Sequence, residues 1–459
     1  MEEPSFMNMG ILVLLLAIIL FAVLAFKQIS ALILAPLVTI FVLIFSALFA
    51  GNSVAILSGL KNDFMPAAAG YVSSYFLVFF VGALFGAVYQ FTGAAKSVAK
   101  WLSGMSRGQF VAPIIMVITG ILTYGGISGF VVFFVVYPIA LQMFRNANVT
   151  RRLIPAAISA GCWTWSMYGP GSPSIQNVIP IDILGTTPTA ALVPSILITV
   201  LSFVLIFVWL ECRARSFTKK GCVFHDPTLR TQLTPEELQA DEDESLPNPI
   251  VALIPIVVIL VLFNAPILLK DDGTRGGLPV ETSVFLGVVL ACILFFPRIE
   301  GGLNGWIRVF NKGAADSGVS ILNTAIVVGF GGVVKGTQGF ADLVEALKHL
   351  NMHPLIFVMI TVAICAGACG SASGGMGVAF DALKDTYAAL GATMPQVHRI
   401  AAIAAGTLDT LPHQGAQITL LGICKMTHKE AYFDIMVTQI IIPFIACFLF
   451  IGLSVMGLC

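Results

Sequence analysis

Between Arg107 and Arg145 no side chain carries a charge, and in the middle of that stretch stands Thr123-Tyr124-Gly125-Gly126-Ile127-Ser128-Gly129. The run is far longer than the ~20 residues that one membrane-crossing helix needs. Its glycines argue against a single continuous helix. Basic residues bound it at both ends and continue into Arg151 and Arg152, so the positive-inside rule puts both ends on the cytoplasmic face. A re-entrant hairpin meets all of these constraints: a half-helix in, a Gly-rich tip and a half-helix out. Pro354 to Phe380 is a second uncharged stretch of this kind, with Gly367-Ala368-Cys369-Gly370-Ser371-Ala372-Ser373-Gly374-Gly375 at its centre.

Composition places these stretches in lipid. Of 459 residues 58% are hydrophobic and only 10% are charged, and the mean hydropathy is +0.95. A soluble domain carries about 25% charged residues. Lys plus Arg balance Asp plus Glu at 24 each, which gives no sign of nucleic-acid binding or of a polybasic lipid tether. Nine Cys lie scattered in apolar stretches without paired spacing, as small residues in helix packing do. The opening Met1-Glu2-Glu3-Pro4 is acidic where a secretory signal is basic, so the first apolar segment is expected to stay as a transmembrane helix.

Apolar segments near spanning length run over Ile11–Phe26, Ala31–Ala50, Tyr71–Gln90, Pro188–Leu210, Ile250–Leu269, Thr282–Pro297, Ser317–Val334 and Phe433–Gly457. The polar segment Arg213–Pro247, with the charge-dense run Glu236–Glu244, reads as a partly disordered cytoplasmic linker with a solvated His225. The expected organisation is a first transmembrane repeat over 1–212, a linker over 213–248 and a second repeat over 249–459.

Each hairpin is followed by an apolar segment broken in its middle. Gly169-Pro170-Gly171-Ser172-Pro173-Ser174 interrupts Pro155–Pro180, and Thr410-Leu411-Pro412-His413-Gln414-Gly415 interrupts Ile400–Cys424. Proline and glycine at that density cannot sit in a continuous helix. Irregular backbone at membrane depth is tolerated only where protein buries it or it lines a cavity. The order therefore repeats: simple spans, hairpin, broken span, closing span. Ala157-Ile158-Ser159-Ala160-Gly161 parallels Ala402-Ile403-Ala404-Ala405-Gly406, and Pro170 parallels Pro412. With a hairpin counted as no crossing, each half crosses five times, an odd number that inverts the second half. The fold class expected is an all-α polytopic membrane protein: two inverted-topology repeats, each with a re-entrant hairpin and a broken helix, about 10 full crossings plus two hairpins. Glu2 and Cys459 are expected outside, the linker and Lys425 inside.

Inverted repeats of this kind belong to secondary transporters with a midplane site. Half-helix N-termini offer a small anion their unpaired N–H groups and dipole, and glycine lets backbone approach closely. The expected substrate-binding residues are Gly126, Ser128, Ser172, Ser174, Gln176 and Asn177 from the first half, and Ser371, Ser373, Thr410 and Gln414 from the second. For any single serine, helix packing is the alternative role. Asp409 and His413 flank the second break and are the expected proton-coupling pair, because charge at membrane depth marks function; the alternative is a structural pair capping broken helix ends. Arg399 is expected at the membrane interface, which leaves no Arg or Lys near the midplane.

Enzyme signals are weak. His349 and His353 have i, i+4 spacing but no third ligand nearby, so neither a metal nor any other cofactor is implied. Gly329-Phe330-Gly331-Gly332 has no strand before it, and no Walker Gly-Lys-Ser/Thr occurs, so dinucleotide binding and a primary pump are not indicated. An intramembrane hydrolase using Ser371 or Ser373 with His413 is the competing enzyme class, and a channel is the other rival.

The chain resembles the gluconate permease family of the ion transporter superfamily, most closely its D-β-hydroxybutyrate permease branch. The likeness rests on Gly169-Pro170-Gly171-Ser172-Pro173-Ser174-Ile175-Gln176-Asn177, Gly370-Ser371-Ala372-Ser373-Gly374-Gly375-Met376-Gly377, Leu408-Asp409-Thr410-Leu411-Pro412-His413 and Thr427-His428-Lys429-Glu430-Ala431-Tyr432. It covers essentially the whole chain, least of all the linker. It implies proton symport of a hydroxylated monocarboxylate such as 3-hydroxybutyrate or gluconate, across a bacterial cytoplasmic (inner) membrane, by an elevator-like homodimer. Sodium coupling and anion exchange stay open beside proton symport.

Overall fold

The computed structural model describes residues 9–26, 29–49, 56–105, 108–127, 129–233, 245–264, 278–349, 352–412 and 414–458. All regular elements among them are helical. The chain opens with α1 (Met9–Phe26), α2 (Ala31–Phe49), α3 (Ile56–Gly59), α4 (Met65–Phe91) and α5 (Ala94–Met105). There follow α6 (Val111–Tyr124), α7 (Gly129–Asn146), α8 (Ile154–Trp163), α9 (Trp165–Tyr168), α10 (Ile175–Leu184) and α11 (Leu192–Lys219). Beyond residue 244 come α12 (Pro249–Asn264), α13 (Val280–Phe295), α14 (Gly302–Lys335), α15 (Gln338–His349), α16 (Pro354–Cys369) and α17 (Ala372–Ala389). The last are α18 (Met394–Leu408), α19 (Gly415–Ile423), α20 (His428–Met436) and α21 (Ile442–Val455).

Among the described residues, six helical runs are long and apolar enough to cross a membrane: Leu32–Phe49, Ile56–Phe91, Leu192–Lys219, Val280–Arg298, Gly302–Lys335 and His428–Val455. Two of them pass through a π-helical turn, at Leu60–Phe64 and Val437–Ile441. Helix α11 shows how lipid inverts the usual polarity. Ser195 and Ser202 are fully buried, while Val193, Val200, Val204 and Val208 are about half exposed. Small hydroxyl residues let helices approach closely, Ser195 Oγ donating to its own backbone at the Ala191 carbonyl at 2.6 Å, and the branched apolar residues are left to the acyl chains. The protein is an all-helical, multi-pass membrane protein.

The chain forms two compact units, residues 1–76 with 319–418 and residues 77–318 with 419–459. Each draws on both halves of the sequence. In the first unit α16, α17 and α18 pack together, and α1 pairs with α2 and α15. His353 caps α16, its Nδ1 accepting from Leu355 N–H at 3.2 Å, with Pro354 at the first helical position. Glycines set the closeness of this packing. A Cβ on Gly375 would stand 2.2 Å from the backbone of Ala366, and one on Gly367 would stand 2.9 Å from Leu408.

The second unit is built around α6 against α8, with α7, α11, α12 and α21 around them. A Cβ on Gly161 would lie 1.9 Å from Thr119 Oγ1 and 2.3 Å from the Met116 carbonyl, so α8 meets α6 almost backbone to backbone. A buried ion pair ties α11 to α20. Asp434, 2% exposed, takes Arg213 Nε at 2.6 Å, Arg213 Nη2 at 3.1 Å and Trp209 Nε1 at 3.1 Å. At the π-helical turn near the end of the chain, Gln439 Nε2 donates to Ser159 Oγ on α8 at 2.6 Å.

The polar segment starts later than the sequence reading placed it. Arg213, Arg215 and Lys219 belong to the last turns of α11, because i, i+4 pairing such as Arg215–Glu211 continues the helix past its apolar part. Residues 220–233 are strapped down. Arg151 Nη2 holds the Thr231 carbonyl at 2.8 Å, Arg152 Nη2 holds Asp226 at 3.0 Å, and Glu430 accepts the Arg230 N–H at 2.7 Å. Phe224 and Leu229 are buried, and His225 is exposed. The run Glu236–Glu244 lies outside the described residues.

Candidate functional site

In the first unit the break after α18 carries a buried carboxylate. Asp409 ends the helix as its C-cap and is 5% exposed. Thr410 Oγ1 and Gln414 Nε2 each donate to it at 3.1 Å, and the backbone N–H groups of Thr410 and Ala372 also bond it. Turn bonds from Thr410 N to Thr407 O (3.1 Å) and from Gln414 N to Leu411 O (2.9 Å) carry the chain through the break until α19 begins at Gly415. Thr410 and Gln414 are buried. The remaining Gln414 acceptor, Oε1, has no partner among the described residues. His413 lies outside the described residues.

Ala372 brings the α16–α17 turn to this carboxylate. Helix α16 ends on Gly370 at φ +57, a left-handed C-cap that suits glycine. Ser371 is then the N-cap of α17: its Oγ accepts from Gly374 N–H at 3.2 Å and stands 3.4 Å from Ser373 Oγ. Ser373 is buried and meets the phenol of Tyr71 on α4. Ser371, Ser373, Asp409, Thr410 and Gln414, expected from sequence as parts of one site, thus lie on two loops of one unit, joined by the Ala372–Asp409 bond. Tyr71 was missed: nothing in its local sequence sets it apart from the other aromatics of α4.

The equivalent loops of the second unit are built differently. Helix α6 ends at Tyr124, and Gly126 takes φ +92 before α7 starts at Gly129. Ser128 lies outside the described residues. The first break opens at Thr164, whose backbone leaves the helical region, and continues through the short α9. Its polar side chains bind their own loop. Ser172 Oγ donates to the Ser166 carbonyl at 2.7 Å, and Ser174 Oγ donates to the Met167 carbonyl. Asn177 Nδ2 donates to Met167 O at 2.9 Å and stands 3.2 Å from the carbonyls of Gly169 and Ser172. The donors of these three expected substrate ligands are therefore used to shape the break, as proline and glycine leave carbonyls there without helical partners. Gln176 differs: it is 4% exposed, and its Oε1 has no partner among the described residues. Tyr124 Oη donates to the Pro170 carbonyl at 2.5 Å and ties the α6–α7 turn to the break.

Arg399 is fully buried, as is His398 before it in α18. Helix α18 starts at Met394, a full turn before the apolar segment is visible in sequence, so Arg399 falls inside the helix. A Thr393–Gln396 capping box starts it.

No family model matches the chain. The uncharacterized transporter YxjC of Bacillus subtilis (strain 168) is 31% identical over 94% of this chain and 96% of its own length. An uncharacterized permease of Haemophilus influenzae is 22% identical over 82% of this chain and 81% of its own. Among solved structures, the Alcanivorax borkumensis YdaH transporter, described as having an unusual topology, aligns with a TM-score of 0.54 at 15% identity, over 87% of this chain and 88% of that one. The last is a likeness of fold alone. Together with the lipid-facing helices and the buried helix breaks, the match along nearly the whole of both chains shows that this protein is a membrane transporter of the family that includes YxjC.

Proposed function

We propose that the protein is a secondary carrier that moves a small hydroxylated monocarboxylate, of the 3-hydroxybutyrate or gluconate type, together with a proton across the bacterial cytoplasmic membrane. The observation that carries this reading is the buried Asp409 carboxylate at the helix break, bonded by the α17 N-terminus and by Thr410 and Gln414. A buried carboxylate is costly in membrane protein and marks function by default. Its protonation would offset the charge of an incoming carboxylate, which an elevator carrier that crosses only empty or fully loaded requires. Transporters among its relatives favour a carrier over a Ser-His hydrolase.

In this reading Ser373, Thr410 and Gln414 of the first unit face the substrate, with Tyr71 added beside Ser373, while Ser371 caps α17. The open acceptor on Gln414 suits the hydroxyl donor of a hydroxy acid. The inverted repeat, with two re-entrant hairpins, is supported by matching helix pairs: α6 with α8 in one unit and α16 with α18 in the other are among the most closely packed. In both units the turn after the first of these helices is tied to the break after the second.

The test is uptake into vesicles of the purified protein under an imposed proton gradient, across a panel of hydroxylated and plain monocarboxylates. Saturable accumulation of a hydroxy acid that collapses with the proton gradient is expected. Uptake that follows a sodium gradient and ignores pH would overturn the coupling, and uptake blind to the substrate hydroxyl would overturn the substrate class.

A further inference from the structure

Away from the breaks, the second unit holds a cup of about 560 Å³ where the end of α4, the start of α5, residues 245–246, the end of α13 and the start of α14 come together. Lys96, Arg298 and Arg308 line it, with Glu300 the one carboxylate among the described lining residues. Neutral oxygens hold the guanidinium groups in place. Arg298 Nη1 donates to the Ser245 carbonyl and to its hydroxyl at 3.1 Å, Arg298 Nη2 to the Leu246 carbonyl at 3.3 Å, and Arg308 Nη2 to the Glu300 carbonyl at 3.4 Å. These bonds fix the orientation of the two guanidinium groups.

The backbone completes the cup. Gly301 and Gly302 take φ +87 and +53 to open α14, and a Cβ on Gly305 would stand 2.2 Å from the Glu300 carbonyl, so the loop lies directly on the first helical turn. The N-terminus of α14 adds its own positive potential to the basic side chains. Phe91 lines the cup, and in the segments that border it Ile293, Phe296 and Ile307 are exposed, with Leu303 at 73%. Leu303 and Ile307 are one turn apart at the start of the long helix Gly302–Lys335.

We propose that this cup binds a phosphate-bearing anion, the headgroup of an acidic phospholipid whose acyl chains lie against the apolar rim. A soluble phosphate shares the anionic chemistry but would have no use for that rim. Basic pockets between transmembrane helices at the membrane surface recognise headgroups in this way. The cup is lined by the segment that leads into α12, so lipid occupancy would fasten that segment to α4, α13 and α14.

Native mass spectrometry of the full-length protein in mild detergent tests this, with phosphatidylglycerol, cardiolipin and phosphatidylcholine offered in turn. The acidic lipids should be retained in preference, and retention should fall about fivefold for each arginine removed in Arg298→Gln and Arg308→Gln. Lys100→Gln, on an exposed position of α5 that does not line the cup, should change nothing. If the double variant does not fold, Arg308→Gln alone carries the measurement. Equal retention of phosphatidylcholine by the unaltered protein, or unchanged retention by the arginine variants, would overturn the site. Displacement of bound lipid by millimolar inorganic phosphate would overturn the headgroup assignment in favour of a soluble anion.

Discussion

The backbone N–H of Ala372, first residue of α17, donates to the carboxylate of Asp409, last residue of the α18 half of a broken helix. One helix start thereby rests on another helix end. The carboxylate sits where the α17 dipole is positive, and its other donors come from Thr410 and Gln414. A change in the charge of Asp409 therefore acts on the α16–α17 turn and on the break together.

Asp409→Asn removes the titrating oxygen and sets an amide N–H₂ among groups that are themselves donors. Gradient-driven accumulation should be abolished, while some exchange of labelled for unlabelled substrate remains. The variant should also lose ~1–3 kcal/mol of stability from mismatched hydrogen bonds. Counterflow and proton-driven uptake in the same proteoliposomes separate the two activities. Full accumulation by the variant would end the coupling role.

Ser371 and Ser373 should part company although they are two residues apart. Ser371→Ala removes an N-cap and should cost ~1 kcal/mol of stability, most of which Ser371→Gly restores. Ser373→Ala and Tyr71→Phe should leave the melting temperature nearly unchanged and raise the KM for uptake. Melting curves beside uptake kinetics check both halves of the prediction.

Gly375 and Gly377 offer a packing test within one helix. A Cβ at Gly375 would enter the backbone of Ala366, whereas one at Gly377 meets nothing within 4 Å. Gly375→Ala should yield little folded protein by fluorescence-detected size exclusion. Gly377→Ala should fold and gain about 0.5–1 kcal/mol, because alanine loses less backbone entropy in a helix.

The strap over residues 220–233 has a pH signature. Burial alone would raise the Asp226 carboxyl, but the hydroxyl and N–H of Thr228 and the Arg152 guanidinium outweigh it and hold it below the usual carboxylate range. Its folded pKa is depressed, so its stabilisation is fully present above the unfolded value of about 3.9 and is lost as pH falls through the folded value. Asp226→Asn should lower the melting temperature by a constant amount between about pH 5 and 8, and the gap should close below about pH 4. A gap that grows as pH falls would contradict the assignment.

Much of the molecule was legible because lipid makes simple demands. Uncharged runs near spanning length had to become helices, and the interruptions at Gly125–Gly126, Gly169–Ser174, Gly370–Ser371 and Thr410–Gln414 fall where glycine and proline cannot continue one. The position of the second break was also legible, because Pro412 disfavours a continuous helix. What the sequence could not supply was which loops and helices would meet. The Ala372–Asp409 bond uses a backbone N–H, which no side-chain pattern marks. Tyr71 reaches Ser373 from a helix some three hundred positions away, and Ser172, Ser174 and Asn177 look like ligands until carbonyls freed by their own loop are seen to claim their donors. Arg399 is buried because of what packs around α18, a property of the tertiary structure that the hydropathy of its own segment does not contain. Local covalent constraints determined where the helices stop; long-range packing decided which stopping points touch.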